Sequence, residues 1–342
     1  MAESARRIAV LLPDLRPGGA ERLHLHLAGY WAGQGLKVDF VLRRAQGELL
    51  AQLPPGASVV DLHATRVRHV LRPLVRYLKQ VQPDVLLAAM WPLTVIAPLA
   101  AKLAGFRGRV VVSEHSPLSL AYAGKGVAHR MLLRASQRLL YPLADAVVAV
   151  SGGVADDLAR LSGLPRAAFT VIHNPATTGR ADGPLSEKPA ALAGCSGPVI
   201  LSVGTLKAVK RHDVLIEAFA QLQAFPQAVL CIVGEGAERA ALQARIAALG
   251  LQGRVLLPGY APDPSPWYAH ADLFVLSSDY EGFGNVLVEA LEFGLPVVSS
   301  DCPFGPREIL ADGRYGTLVP PGDAQALAAA MQQALQNRPD AG

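Results

Sequence analysis

The chain has 342 residues, 51% of them apolar, which is long enough for two domains with separate cores. Its three cysteines, Cys195, Cys231 and Cys302, are scattered with no paired spacing, which disfavours a disulfide framework, a cysteine zinc site or a redox pair and suits a reducing cytosol. The net charge of +4 hides an asymmetry: residues 1–185 carry 22 Lys+Arg against 12 Asp+Glu, and residues 186–342 carry 10 against 16, so the first half is the one that needs an anionic partner.

In chain order, Ile8 to Pro13 is too short an apolar stretch for a secretory signal and reads as a first strand, Arg7 to Pro13. Leu15 to Arg22, with Gly18 and Gly19, leads into a helix that Gly35 stops. Strand and helix patterns then alternate through Val38–Leu42, Val59–Leu62, a helix from Pro73, Asp84–Met90, Val110–Glu114, a helix from Val127, Ala146–Val150 and Phe169–Ile172. Such alternation predicts a parallel sheet covered on both faces. The uncharged run Val85 to Ala101 is interrupted by Pro92 and Pro98 and splits into a buried strand and a helix, so no membrane span is expected.

The turn-rich, aperiodic stretch Thr177 to Gly197 marks a linker. A second alternating set follows: Val199–Val203, a helix from Arg211 to Leu222, Ala228–Val233, a helix from Ala237 to Leu249, Arg254–Leu257 and Asp272–Ser278. The domains are therefore expected at 1–182 and 183–342. The fold class is α/β, two facing Rossmann-like domains with an interdomain cleft at the carboxyl ends of both sheets.

The most informative stretch is Asp279 to Glu308. It runs from a strand through Glu281-Gly282-Phe283-Gly284-Asn285 into a helix bearing Glu289, closed by Gly294 and Pro296. Glycines let a ligand approach the backbone, and a helix N-terminus favours an anion by roughly 0.3 to 1 kcal/mol when exposed. A carboxylate beside a phosphate site repels it unless it serves another part of the ligand. A ligand with hydroxyls flanking its phosphates resolves this, one glutamate taking a sugar and the other a ribose.

Two glutamates eight residues apart around Gly-Phe-Gly resemble the donor-site motif of family 4 glycosyltransferases, which have the two-domain GT-B fold. The likeness extends in order through Ser202-Val-Gly204-Thr205 with Lys210, Gly234-Glu-Gly236-Ala-Glu-Arg239, Gly259-Tyr260, Gly305-Pro-Arg-Glu308 and Gly316 to Val319. It implies that Lys210 holds the donor diphosphate, that Gly234, Gly236 and Tyr260 line the nucleotide pocket, and that Glu281 and Glu289 take sugar and ribose. Thr205 stands where the family usually has an arginine, leaving Lys207 and Arg211 as nearby cations. In the first half the resemblance is looser. Gly18 and Gly19 resemble the loop that approaches the donor phosphate from the other side, and His115 matches a histidine close to the transferred sugar.

The resemblance implies a retaining hexosyltransferase, moving a hexose or N-acetylhexosamine from a nucleotide-diphosphate sugar, most simply UDP-linked, to a lipid-linked or cell-surface glycan acceptor. Glu281, His115 and Lys210 are the expected catalytic residues. No Asp-x-Asp pair precedes a sugar site, so no metal or other cofactor is expected. An inactive sugar-nucleotide-binding protein or an epimerase on the same fold is the alternative. Arg130, Arg134 and Arg138, spaced by four with no acidic residue between Glu114 and Asp145, form a basic helix face for acceptor or membrane, and the stretch 62–83 adds Arg66, Arg68, Arg72, Arg76 and Lys79. Basic residues here are not interleaved with aromatics and form no nucleic-acid signature. The expected location is cytoplasmic, peripheral on the inner face of the membrane.

Overall fold

A computed structural model describes residues 6–177 and 187–337. The chain divides into two compact units, Met1–Pro175 and Ala176–Gly342. The domain boundary expected at 182/183 lies outside the described residues, as does most of the first half of the expected linker; the remainder holds one short turn, Ala190–Leu192, anchored by buried Leu192.

The first unit contains β1 (Arg7–Leu12), α1 (Gly19–Gly33), β2 (Lys37–Leu42), β3 (Ala57–Asp61), α2 (Leu71–Val81), β4 (Val85–Ala89) and α3 (Leu93–Ala104). It continues with β5 (Arg109–Glu114), α4 (Leu118–Ala121), α5 (Val127–Leu140), β6 (Ala146–Ala149), α6 (Gly152–Ser162) and β7 (Phe169–Val171). The strands form one parallel sheet in the order β3-β2-β1-β4-β5-β6-β7. Their apolar runs are continuous because both faces are covered, and Val10, Leu12, Val38, Phe40 and Leu42 pack with Leu15, Leu25 and Ala28 in one buried cluster. The carboxylate that interrupts β2, Asp39, is satisfied by Ser58 Oγ and Tyr77 OH, both donating at 2.7 Å, and by Arg7.

The second unit contains β8 (Val199–Val203), α7 (His212–Ala220), β9 (Val229–Val233), α8 (Arg239–Ala248), β10 (Val255–Gly259) and α9 (Ser265–Ala269). Then come β11 (Leu273–Leu276), α10 (Asn285–Glu292), β12 (Val297–Ser300), α11 (Pro306–Ile309), β13 (Thr317–Val319) and α12 (Ala324–Gln336). Its parallel sheet has the order β10-β9-β8-β11-β12-β13. Buried clusters lie on both faces, one around Phe219, Leu230 and Met331, the other around Tyr268, Phe274 and Leu287. No helix among the described residues is long and apolar enough to cross a membrane.

In each sheet the strand order reverses once, between β1 and β4 and between β8 and β11. Crossovers leave in opposite directions there, so the loops following the two strands part and leave a gap at the carboxyl edge, where doubly wound sheets take their ligands.

Candidate functional site

In the second unit the reversal brings together the loop after β8, bearing Gly204 and Thr205, and the loop after β11, bearing Glu281. Lys210 Nζ donates to Glu281 Oε1 at 2.6 Å, and the two side chains are only 18% and 13% exposed. Ser278 Oγ donates to the same oxygen at 2.6 Å. The backbone is stitched as well: Ser277 Oγ donates to the Lys210 carbonyl, and the Asp279 amide to the Val209 carbonyl, both at 2.8 Å. The lysine stem passes over Gly204, where an added Cβ would lie 3.6 Å from Lys210 Cε. Strand β11 ends at Leu276, shorter than the expected Asp272–Ser278, and this frees Ser277 and Ser278 for the loop. Of the two cations near the missing arginine, Arg211 is held by Asp213 and Asp279 at 3.2 and 3.0 Å, whereas Lys207 is exposed.

The glycines keep the neighbouring loops close. Gly234 has φ +155° and a Cβ there would meet the Gly204 carbonyl oxygen at 1.9 Å; one on Gly236 would meet that of Leu206 at 2.3 Å. Gly284, at φ +103°, starts α10 without a side-chain cap, and Gly282 and Phe283 are buried beside it. Gly305 packs on this loop so closely that a Cβ would lie 1.9 Å from the Phe283 carbonyl oxygen. Glu289 lies on the second turn of α10, where buried Tyr268 donates its OH to Oε2 at 2.7 Å. Tyr260 directly follows β10, at the same edge of the sheet.

In the first unit Gly18 caps α1 in an extended conformation and Gly19 begins it, within the segment expected to lead into the helix. A Cβ on Gly18 would meet Glu21 Oε2 at 2.2 Å, which places that carboxylate over the helix N-terminus. His115, after β5, lies 3.1 Å through Nε2 from Ser113 Oγ and stands edge-on to His24 at 5.4 Å; its Nδ1 has no partner among the described residues. Burial, and to a lesser extent His24, push the His115 pKa down to about 3, so it is neutral at physiological pH. His24 Nδ1 donates to the Ala20 carbonyl at 2.7 Å and burial lowers its pKa too.

The sequence gives no pattern for the groups beside these histidines. Fully buried Glu114 accepts from Thr94 Oγ1 at 2.5 Å, Tyr141 OH at 2.7 Å and the Trp91 amide at 3.3 Å. Burial outweighs these bonds and pushes its pKa up to about 7. Trp91, two residues past β4, meets Tyr122 and His129 edge-on at 5.0 and 5.4 Å, while Tyr122 and His129 stack at 5.3 Å. Such pairs contribute about 0.5 to 1.5 kcal/mol each beyond their buried area. The only sequence signal was an aromatic residue just past a strand's carboxyl end.

Helix α5 carries Arg130, Arg134 and Arg138 exposed on one face, as the spacing predicts, with Arg138 Nη1 donating to the Gly163 carbonyl. Its apolar residues divide between the core and the surface. Leu133 packs inward with Gln137, but Val127, Met131, Leu132 and Leu139 are 64%, 65%, 59% and 69% exposed. The exposed arc of the helix thus runs from arginines to an unbroken apolar strip. Helix α3 packs against both α2 and α5, so the exposed Arg72, Arg76 and Lys79 of α2 belong to the same layer.

Residues 17–180 match the model of Glycosyltransferase Family 4, and residues 189–341 that of Glycosyl transferases group 1. The chain is 30% identical over 328 residues, 93% of its length and 86% of the relative's, to the lipopolysaccharide core biosynthesis glycosyltransferase LpsE of Rhizobium meliloti. It is 32% identical over 221 residues, 65% of its length and 59% of the relative's, to an N-acetylgalactosaminyltransferase of Campylobacter jejuni that acts on a diphospho-undecaprenol-linked saccharide. Among solved structures, Anabaena HepE in complex with UDP and glucose has a TM-score of 0.78 at 25% identity, covering 97% of this chain and 90% of that one.

The buried Glu114 network yields a pH prediction. With the folded pKa raised from 4.5 to about 7, the folded state binds the proton more tightly than the unfolded chain. This residue's contribution to stability therefore falls as pH rises through that window and is level above it. Glu114→Gln should flatten that loss, by on the order of 2 to 3 kcal/mol between pH 5 and pH 8. Denaturant melts at both pH values check this; an equal decline in parent and variant would remove Glu114 as its source.

Proposed function

The chain belongs to the GT-B glycosyltransferases, and from that premise we propose that it moves a hexose or N-acetylhexosamine from a UDP-sugar to a lipid-linked or cell-surface glycan, retaining the anomeric configuration. The observation that carries this is the Lys210–Glu281 pair at the β8/β11 reversal, beside the glycine loop that opens α10. The UDP complexes of Anabaena HepE support the nucleotide. The lipid-linked saccharide named for the Campylobacter relative supports the acceptor class.

Lys210 and the N-terminal end of α10 stabilise charge on the departing diphosphate, in place of a metal or other cofactor, and this electrostatic contribution is the one expected to dominate. Glu281 orients the sugar and steadies positive charge growing at its ring. Glu289, held by Tyr268, takes the ribose hydroxyls. The acceptor oxygen bonds to the anomeric carbon on the face from which the diphosphate leaves, and the acceptor's proton passes to the departing phosphate oxygen. His115, neutral, contacts the transferred sugar by hydrogen bonding. Gly18 and Gly19 admit the donor phosphate, and Gly204, Thr205, Gly234, Gly236 and Tyr260 line the nucleotide pocket.

We place the enzyme on the inner face of a membrane. Near an anionic surface each arginine of α5 contributes about 1 kcal/mol, and the exposed apolar strip adds burial at about 25 cal/mol per Å² of apolar area.

Glu289→Ala should weaken binding of free UDP, whereas Glu281→Ala should spare UDP and reduce transfer; titration calorimetry and turnover separate the two, and unchanged UDP affinity in Glu289→Ala would refute the ribose role. Lys210→Met strands Glu281 in a site where both partners are mostly buried, so it should cost about 1.5 to 3 kcal/mol of stability as well as turnover. The double variant Lys210→Met/Glu281→Gln should regain the stability and remain inactive. If it regained turnover, the pair would be structural. Replacing Arg130, Arg134 and Arg138 together with glutamine should reduce cosedimentation with anionic vesicles at low salt while leaving UDP affinity intact. Equal vesicle binding would refute membrane docking by α5.

A further inference from the structure

We infer that Trp91, flanked by Tyr122 and His129, is the platform on which a pyranose ring of the acceptor stacks. This rests on the glycan-acceptor reading above and adds the residues that hold the sugar.

Trp91 follows β4 at the reversal between β1 and β4, the place in the first sheet that corresponds to the Lys210–Glu281 gap in the second. Ligands of doubly wound sheets bind at such a point. In the second unit the gap presents charge, which suits a diphosphate. In the first, the loop after β4 presents aromatic rings.

Trp91, Tyr122 and His129 all stay partly exposed. Their orientation is nevertheless set. Trp91 Nε1 donates to Ser136 Oγ at 3.2 Å, Ser136 Oγ donates to the Leu133 carbonyl at 2.9 Å, and Tyr122 OH donates to the Trp91 carbonyl at 3.5 Å. His129 Nε2 has no partner among the described residues. A pyranose offers an apolar C–H face and a rim of hydroxyls. Ring faces suit the first.

The neighbourhood fits a sugar attached to a lipid. His129 lies in the first turn of α5, and the exposed strip of Val127, Met131 and Leu132 begins beside it. A glycan seated at Trp91 therefore has apolar surface next to it for the lipid that carries it.

The test is saturation-transfer NMR on the full chain, with the methyl glycosides of glucose, galactose and N-acetylglucosamine as probes and UDP as control. Each sugar is raised to about 0.1 M, where a millimolar binder is near saturation. The parent should transfer saturation to the ring C–H protons of at least one glycoside. Followed as a titration up to that concentration, Trp91→Leu should raise the glycoside dissociation constant about tenfold or more, a change worth about 1.4 kcal/mol, with UDP affinity unchanged, and Trp91→Phe should stay close to the parent. A parent that binds UDP and none of the glycosides would overturn the platform while leaving the donor reading standing; a parent that fails to bind UDP would sink the donor reading instead. Equal loss in the phenylalanine and leucine variants, or no loss in either, would also overturn stacking. If Trp91→Leu does not fold, Tyr122→Leu supplies the same comparison against Tyr122→Phe.

Discussion

The geometry of both units follows from one constraint. A parallel sheet must cross over through helices, and where the direction of crossover changes, the loops that leave two adjacent strands diverge. The β8/β11 gap does not stay slack. Lys210 and Glu281, Ser277 and the Lys210 carbonyl, Asp279 and the Val209 carbonyl, and Arg211 and Asp279 all bridge it. An ion pair this sheltered gains little net stability, since desolvation offsets most of its Coulomb attraction. Its consequence is positional: a cation and a carboxylate are held at fixed places beside the glycine loop before any ligand arrives, which lowers the reorganisation a developing charge would demand.

The first unit treats its gap differently. Burial keeps His115 and His24 neutral and moves Glu114 toward neutrality, while the loop after β1 holds buried, ionised Asp14 against Arg16 and Arg43. The excess of 22 basic over 12 acidic residues in positions 1–185 is instead conspicuous on exposed positions of α2 and α5, in the layer organised by α3. Much of the charge asymmetry read from the sequence therefore lies on an outer surface.

What was legible in the sequence was what local physics dictates. Strand β8 lies on the residues expected, and α5 begins at Val127 as expected, because apolar periodicity and glycine punctuation mark such elements directly. The need for glycine in the loops at this edge was legible too, since close packing such as Gly305 against Phe283 admits no other residue. Helix α1 begins within the segment read as its lead-in, where Gly18 caps it in an extended conformation. Contacts between distant residues were invisible. Lys210 and Glu281 were each singled out but not as a pair, being 71 residues apart. Trp91 is brought to Ser136 across 45 residues only by the order of the strands.

The exposed face of α5 is more apolar than its packing requires. A 14-residue helix that buries only Leu133 and Gln137 gains little from its own packing, yet tertiary packing is what stabilises most helices. Its anchoring comes in part from polar and aromatic ties: Ser136 to Trp91, His129 to Tyr122 and Trp91, and Arg138 to the Gly163 carbonyl. Val127, Met131, Leu132 and Leu139 could all be polar without disturbing any of these ties. Packing within the described residues therefore does not explain four large apolar side chains beside three arginines, and the membrane docking proposed for α5 would. The same ties make α5 and the aromatic cluster one mechanical piece, so a helix seated on a membrane would hold Trp91 at a set height above it.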